Sequence, residues 1–259
     1  MSLEEQRACM APLQLAGQLI MENGGETYRA EETVTRMGEA FGLQEVESFA
    51  VPSGLFISYR MEDGNVESSV KRVRRSDTNL SRVDAVNQVS RDAERKGFPP
   101  AKALEKLHEI RELPERKYLT VLGAALCAAG FTLMFGGGWV DFLMALALAG
   151  AMQGMSLLLD RMGIQAMVSL LLGGLLTALI PMLLAPHLPC LHTEALIAGA
   201  LMPMLPGLMM TNAIQDTMRG DMVSGLSHGA LAILTACLVA SGALIAESLM
   251  IMLTGGGIG

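Results

Sequence analysis

The stretch PGLMMTNAIQDTMRGD, Pro206 to Asp221, decides how the chain is read. It closes an apolar run long enough to cross a membrane. It breaks that run with Pro-Gly and then presents Asn212, Asp216, Arg219 and Asp221. A helix breaker followed by polar groups belongs in a hydrophobic span only if something covers the backbone groups it releases. Whether this is a span at all depends on the rest of the chain.

Of the 259 residues, 51% are hydrophobic and 17% charged, and the mean hydropathy is +0.40. Soluble domains carry roughly 25% charged residues. The charge is unevenly placed: residues 1–117 hold 17 of the 19 Lys and Arg and 20 of the 26 Asp and Glu. The 142 residues from 118 onward keep two basic residues, Arg161 and Arg219, and six acidic ones. This predicts a small soluble α+β domain over residues 1–113 and an all-α polytopic membrane domain over 114–259. The first part is slightly acidic, so nucleic acid is not an expected partner. The four cysteines, Cys9, Cys127, Cys190 and Cys237, form no CxxC pair, and no disulfide, metal site or cofactor is expected. His187, Cys190 and His192 are read as a turning loop, not a metal site.

Five apolar segments are predicted to cross the bilayer, at about 118–136, 139–159, 165–185, 194–212 and 229–253, each near the ~20 residues a spanning helix needs. Arg161 lies between the second and third, Arg219 between the fourth and fifth, and the other connections and the tail TGGGIG carry no Lys or Arg. Five spans put the N-terminal domain, Arg161 and Arg219 on one side. The positive-inside rule makes that side cytoplasmic and places the C-terminus outside. The first twenty residues lack a basic n-region and a cleavage site, which agrees with a cytoplasmic start. Small residues such as Gly150, Gly154, Gly173 and Gly174 are expected at close helix crossings.

In the N-terminal part, residues 1–22 read as a helix ended by Asn23-Gly24-Gly25, and ETYRAEETVTRMGEAFGL as a second. VESFAVPSGLFISYR and VESSVKRV read as β-strands joined by a turn at Asp63-Gly64-Asn65. Helices over about 79–96 and 100–111 lead to the junction. Thr27, Arg29, Glu31, Glu32 and Arg36 crowd one short segment, whose plain reading is a helix with charge pairs on a wet face.

With these pieces in order, the chain resembles the threonine/serine exporter family, in its short two-component form. The resemblance rests on GGETYRAEETVTR, similar to a Gly-x-x-Thr/Ser-x-Arg-x-Glu helix; on VPSGLFIS; on the turn GGGWVD; and on PGLMMTNAIQDTMRGDMVSGLSHGALA. It implies an inner-membrane exporter of small polar metabolites, threonine- or serine-type amino acids or a dicarboxylate such as succinate. It also implies a second, smaller membrane subunit; the small-residue helix faces call for partners too, so a homo-oligomer is expected with that subunit or in its place. Met209-Met210-Thr211 depart from some members, which leaves the substrate open.

Polar groups within or beside spans are candidate pathway residues. Asn212 and Asp216 share a helix face four residues apart, and Asp216 and Arg219 are placed to pair. Released amides near Pro206 and Gly207 could receive a carboxylate. Asp141 beside Trp139, Gln153 and Glu247 complete the candidates, with Thr27, Arg29 and Glu31 as the N-terminal motif. The sequence contains no GxxxxGK[ST], HExxH or GxSxG motif and no paired carboxylates at catalytic spacing, so neither nucleotide-driven transport nor an enzyme is expected. The competing reading is a membrane-anchored sensor or scaffold with a ligand- or partner-binding cytoplasmic domain. The broken fourth span favours transport, because an anchor needs no break.

Overall fold

The computed structural model describes residues 2–74, 77–114 and 116–253. The tail on which the predicted outer C-terminus falls lies outside the described residues. The chain divides into two compact units. One comprises Met1–Pro114 with Leu208–Gly229; the other comprises Glu115–Gly207 with Ala230–Gly259. The sequence put the boundary at 113/114 with everything later in the membrane domain. In the structure a 22-residue piece of that later half packs with the N-terminal part instead.

The first unit opens with α1 (Leu3–Ala8), capped by Ser2, and α2 (Met10–Glu22), which a break at Cys9 makes two helices where one was expected. Next come α3 (Thr27–Ala40), β1 (Gln44–Val51), β2 (Gly54–Arg60), β3 (Val66–Arg72), α4 (Leu80–Lys96) and α5 (Pro100–Glu112). The strands form an antiparallel sheet in the order β1-β2-β3. The turn at Asp63-Gly64 is where the sequence placed it, with Gly64 at φ +84°, a conformation that favours glycine. VESFAVPSGLFISYR, expected as one β-run, folds back at Pro52-Ser53 into two strands, with Val51 opposite Gly54. Proline cannot supply a ladder N–H, so it sits in the two-residue turn. One face of the sheet buries Leu55, Ile57 and Tyr59 in a core that includes Leu13, Ile20, Val34, Met37, Val86 and Leu107.

The second unit contains α6 (Lys117–Met134), α7 (Trp139–Arg161), α8 (Ala166–Leu184), α9 (Thr193–Leu201) and most of α11 (Met222–Leu253). α6, α7, α8 with its 3-10 extension to His187, and α11 are each long and apolar enough to cross a membrane. Thr193–Met204 with α10 (Gly207–Met218) passes as a fifth, broken span. Only 22–28% of the residues in the four unbroken spans are buried within the chain, so their apolar outer faces call for lipid or further helices. The chain is a multi-pass membrane protein, as its hydropathy predicts.

Within this unit the crossings are made by small residues. α6 and α7 close on Ala128, Ala129, Ala145 and Ala149, with Leu196 of α9 against them, and Ala125 faces Gly150. At Gly199 an added Cβ would lie 2.5 Å from the Thr132 nitrogen, so the two backbones meet directly. At Gly242 it would lie 2.6 Å from the Leu175 nitrogen and 3.1 Å from the Gly174 carbonyl carbon, which sets the α8–α11 crossing. Without a hydrophobic drive between helices in lipid, such van der Waals contact is what associates them.

The expected fourth span, 194–212, is not one helix. α9 stops at Leu201, a 3-10 turn spans Met202–Met204, and a new helix starts at Gly207. Pro203 and Pro206 have no N–H to give. The Gly207 amide does not stay available for a ligand carboxylate, as the sequence suggested: it bonds the Leu205 carbonyl at 2.9 Å. The last helix also begins seven residues earlier than expected, at Met222, where Asp221 accepts the Ser224 amide at 3.2 Å.

Candidate functional site

The segment Leu208–Gly229 supplies the site, and its sequence dictates how it folds back. Gly220, at φ +91°, turns the chain between α10 and α11. Gly225 and Gly229 then let α11 lie close on α10: a Cβ on Gly225 would stand 3.0 Å from the Ala213 carbonyl, and one on Gly229 3.8 Å from the Ala213 Cβ. A small-xxx-small pair thus closes a helical hairpin. With Ala213 used against α11, the four-residue spacing puts Asn212 and Asp216 on a neighbouring face. On α11 the same spacing aligns Ser224 and His228.

Asn212, Asp216 and Ser224 are buried and His228 is half-buried. Asp216 is 1% exposed, Asn212 4% and Ser224 fully buried. Thr27 Oγ1 donates to Asp216 Oδ1 at 3.0 Å, and His228 Nδ1 lies 2.9 Å from Asp216 Oδ2. Ser224 Oγ donates to the Ala50 carbonyl at 3.2 Å, and the Ala50 amide donates to Glu31 Oε1 at 2.7 Å. Both backbone groups of Ala50, on the outer edge of β1, are therefore held by side chains. Thr27 is the first residue of α3, so the Asp216 carboxylate meets the positive end of that helix.

Burial pushes the Glu31 carboxyl above its ordinary value of 4.5; the Ala50 amide opposes the shift, and the nearby Asp221 and Asp216 charges add to it. Carboxylates Glu31, Asp216 and Asp221 with one imidazole thus make a compact acidic cluster. Asn212 stands apart in one respect. It is buried beside this cluster, yet no hydrogen bond engages its side-chain amide among the described residues. Its amide keeps unused hydrogen-bonding capacity on this face without being sealed off, whereas Gln215 Oε1 on the same helix is sealed from solvent with no partner among the described residues.

Arg219 does not pair with Asp216. Its guanidinium lies 3.5 Å from the Tyr28 ring centroid, a cation–π contact, while Asp216 is taken by Thr27 and His228. Thr27, read as part of a wet helix face, is 2% exposed. The charge pairs expected on that helix are present: Arg29 with Glu26 at 2.9 Å, and Arg36 with Glu32. The structure thus brings together Thr27, Glu31, Asp216 and Asp221 from the expected residues, with Arg219 alongside on Tyr28. Sequence reasoning missed Ser224 and His228. They lay within the quoted SGLSHGALA, and the signal was their spacing of four just ahead of the apolar run.

The remaining candidates lie in the second unit. Asp141, expected as an interface residue beside Trp139, is fully buried while Trp139 is 75% exposed. Its carboxylate accepts the Gly138 amide at 2.7 Å and the His192 amide at 2.9 Å, and meets His192 Nδ1 at 2.8 Å. One side chain therefore caps α7 and fixes the start of α9. Gln153 is half-buried on α7, and Glu247 is exposed on α11. Pro206 and Gly207 form the break itself. Among the described residues, no group of three His, Cys, Asp or Glu side chains could hold a metal ion.

Comparison with known proteins gives a consistent picture. The family model described as "Putative threonine/serine exporter" matches residues 13–250. A "Probable succinate transporter subunit YjjP" of Klebsiella aerogenes is 25% identical over 247 residues, covering 95% of each chain. The protein of the same description from Escherichia coli is 24% identical, covering 90% of this chain and 91% of its own. The "Threonine/serine exporter" of Corynebacterium glutamicum is 24% identical over 80% of this chain but only 44% of its own length. No solved structure matches.

Proposed function

The chain belongs to the threonine/serine exporter family, and from that premise we propose that it is one subunit of an inner-membrane secondary exporter that works with a second, smaller membrane protein. Its cargo is a small polar metabolite, a hydroxy amino acid or a dicarboxylate. End-to-end similarity to proteins described as succinate transporter subunits, against partial similarity to longer exporters, favours the two-subunit arrangement and the dicarboxylate. The N-terminus is cytoplasmic and the C-terminus outside, from the distribution of Lys and Arg.

The observation that carries this reading is the polar cluster of Asn212, Asp216, Ser224 and His228, which follows the break in the fourth span. Transporters build sites where a helix is interrupted, since released backbone and polar side chains there are covered by protein. Asp216 has both oxygens engaged, so its role is to hold His228 and the start of α3. Asn212, with its amide unused, is the group offered to the substrate. Asp141, Gln153 and Glu247 are secondary positions along the route. The packing of 208–229, the segment that follows the break, with the N-terminal part also argues against a separable sensor domain.

The test is efflux from cells preloaded with labelled succinate, serine or threonine, with and without this chain and its small partner. Export of at least one should require both. Equal efflux of all three without the chain would overturn the proposal.

A further inference from the structure

The solvent side of the sheet is the surface of the first unit that the proposed function leaves unused. Phe49, Phe56 and Val70 are register partners across the three strands and are 49%, 43% and 66% exposed. The two rings touch, with centroids 6.0 Å apart. On one side of this apolar row stand Glu47, Ser58 and Ser68; on the other stand Val51, Gly54 and Arg72. Glu47 and Arg72, both exposed, therefore occupy diagonally opposite corners of one sheet face.

We propose that two copies of this chain pair through this face. The charge pattern selects the occupant. Strand spacing of ~4.8 Å and a same-face repeat of ~6.8 Å make the three-by-three patch about 10 by 14 Å. A two-fold axis lying in the face, close to the diagonal through Val51, Phe56 and Ser68, then brings Glu47 of each copy beside Arg72 of the other, within the reach of these two long side chains. Residues on the axis meet their own copies, and none of the three is charged. Phe49 comes over Gly54, where no side chain stands. The strands cross at near right angles, one of the two standard ways sheets pack. The alternative axes, along the strands or across them, place Glu47 and Arg72 over neutral partners.

The patch is smaller than the ~800 Å² per partner of a stand-alone interface. Confinement of both copies to one membrane raises their effective concentration, so a weaker contact suffices. The pairing is independent of what the protein transports.

The experiment uses the full chain in native membranes, with Cys127, Cys190 and Cys237 changed to Ser and the buried Cys9 kept. Phe56→Cys, on the axis, should oxidise to a covalent dimer of twice 27.5 kDa, whereas Asp63→Cys at the hairpin tip should not. In the Phe56→Cys background, Glu47→Arg or Arg72→Glu alone should lower the cross-linked yield several-fold, and the two together should restore it. Failure of Phe56→Cys to dimerise would overturn the proposal. So would cross-linking to a different, smaller chain, or a double charge reversal no better than the single ones. The first or second result would assign the face to lipid or to the other subunit.

Discussion

If Asp216 holds α10 and α11 to the start of α3, the hydrogen bond from Thr27 must carry measurable coupling. Thr27→Val keeps the shape of the side chain and removes the donor, leaving Asp216 Oδ1 without its 3.0 Å partner. A hydrogen bond to a charged group contributes about 1.5–3 kcal/mol, and an orphaned buried acceptor costs about as much. Asp216→Asn keeps the volume, removes the buried charge and can still accept from Thr27, while its amide must meet His228 Nδ1 as a donor. Part of its loss is recovered in desolvation, so its expected cost is about 1–3 kcal/mol. The two changes share one bond, so their effects should fall short of additive by about 1–2 kcal/mol. The readout is hydrogen exchange at the amides of the first turn of α3 and at Ala50, in the intact membrane-embedded chain. Since about 1.4 kcal/mol is a factor of ten, the coupling appears as roughly 5–30-fold in protection. Additivity within about 0.5 kcal/mol would refute the reasoning, because independent sites add to that precision. Efflux separates the roles further: Asn212→Ala should abolish it while leaving this protection unchanged.

Gly199→Ala pushes a methyl into the Thr132 backbone and should lower the amount of folded protein in the membrane far more than Gly154→Ala, where nothing lies within 4 Å of the added carbon; quantitative blotting compares them. Asp141→Ala should destabilise more than His192→Ala, because it strips acceptors from two backbone amides as well as from the imidazole, and thermal aggregation in detergent orders the pair. Glu31 has a raised folded value, so it binds its proton more tightly folded than unfolded: the stability it contributes is complete below the ordinary value of 4.5 and is lost as pH rises through the folded one. Glu31→Gln should flatten that fall in a pH series of unfolding midpoints, and an unchanged slope would count against the shift. A phosphatase active only outside the cell, fused after the last residue, should be active if the C-terminus is external, and inactive if a span was miscounted.

Much of the molecule is legible along the chain. Charge segregation separates a polar N-terminal part from apolar spans, and apolar runs of about twenty residues locate α6, α7 and α8 within a few residues. These features are local: each follows from the composition of one window and the thickness of a bilayer. The polar groups after Pro206 were also visible, and the four-residue spacing put Asn212 and Asp216 on one face. Their partners were not. Asp216 reads toward Arg219 in sequence because a separation of three permits an ion pair on a helix, yet it meets Thr27, 189 residues away, and His228 across the Gly220 turn.

What the sequence by itself determined is therefore the class of protein, its membrane helices and the existence of a break at Pro203 and Pro206. What only the tertiary structure decided is which unit owns the residues after the break. Leu208–Gly229 is too polar to be settled by hydropathy, and its place depends on whether buried oxygens and amides find partners. Thr27, Ala50 and His228 supply them in the first unit. The same dependence explains Asp141, whose composition window reads as a membrane boundary. It is buried because the amides starting α7 and α9 converge on it, and no window of one helix contains that fact.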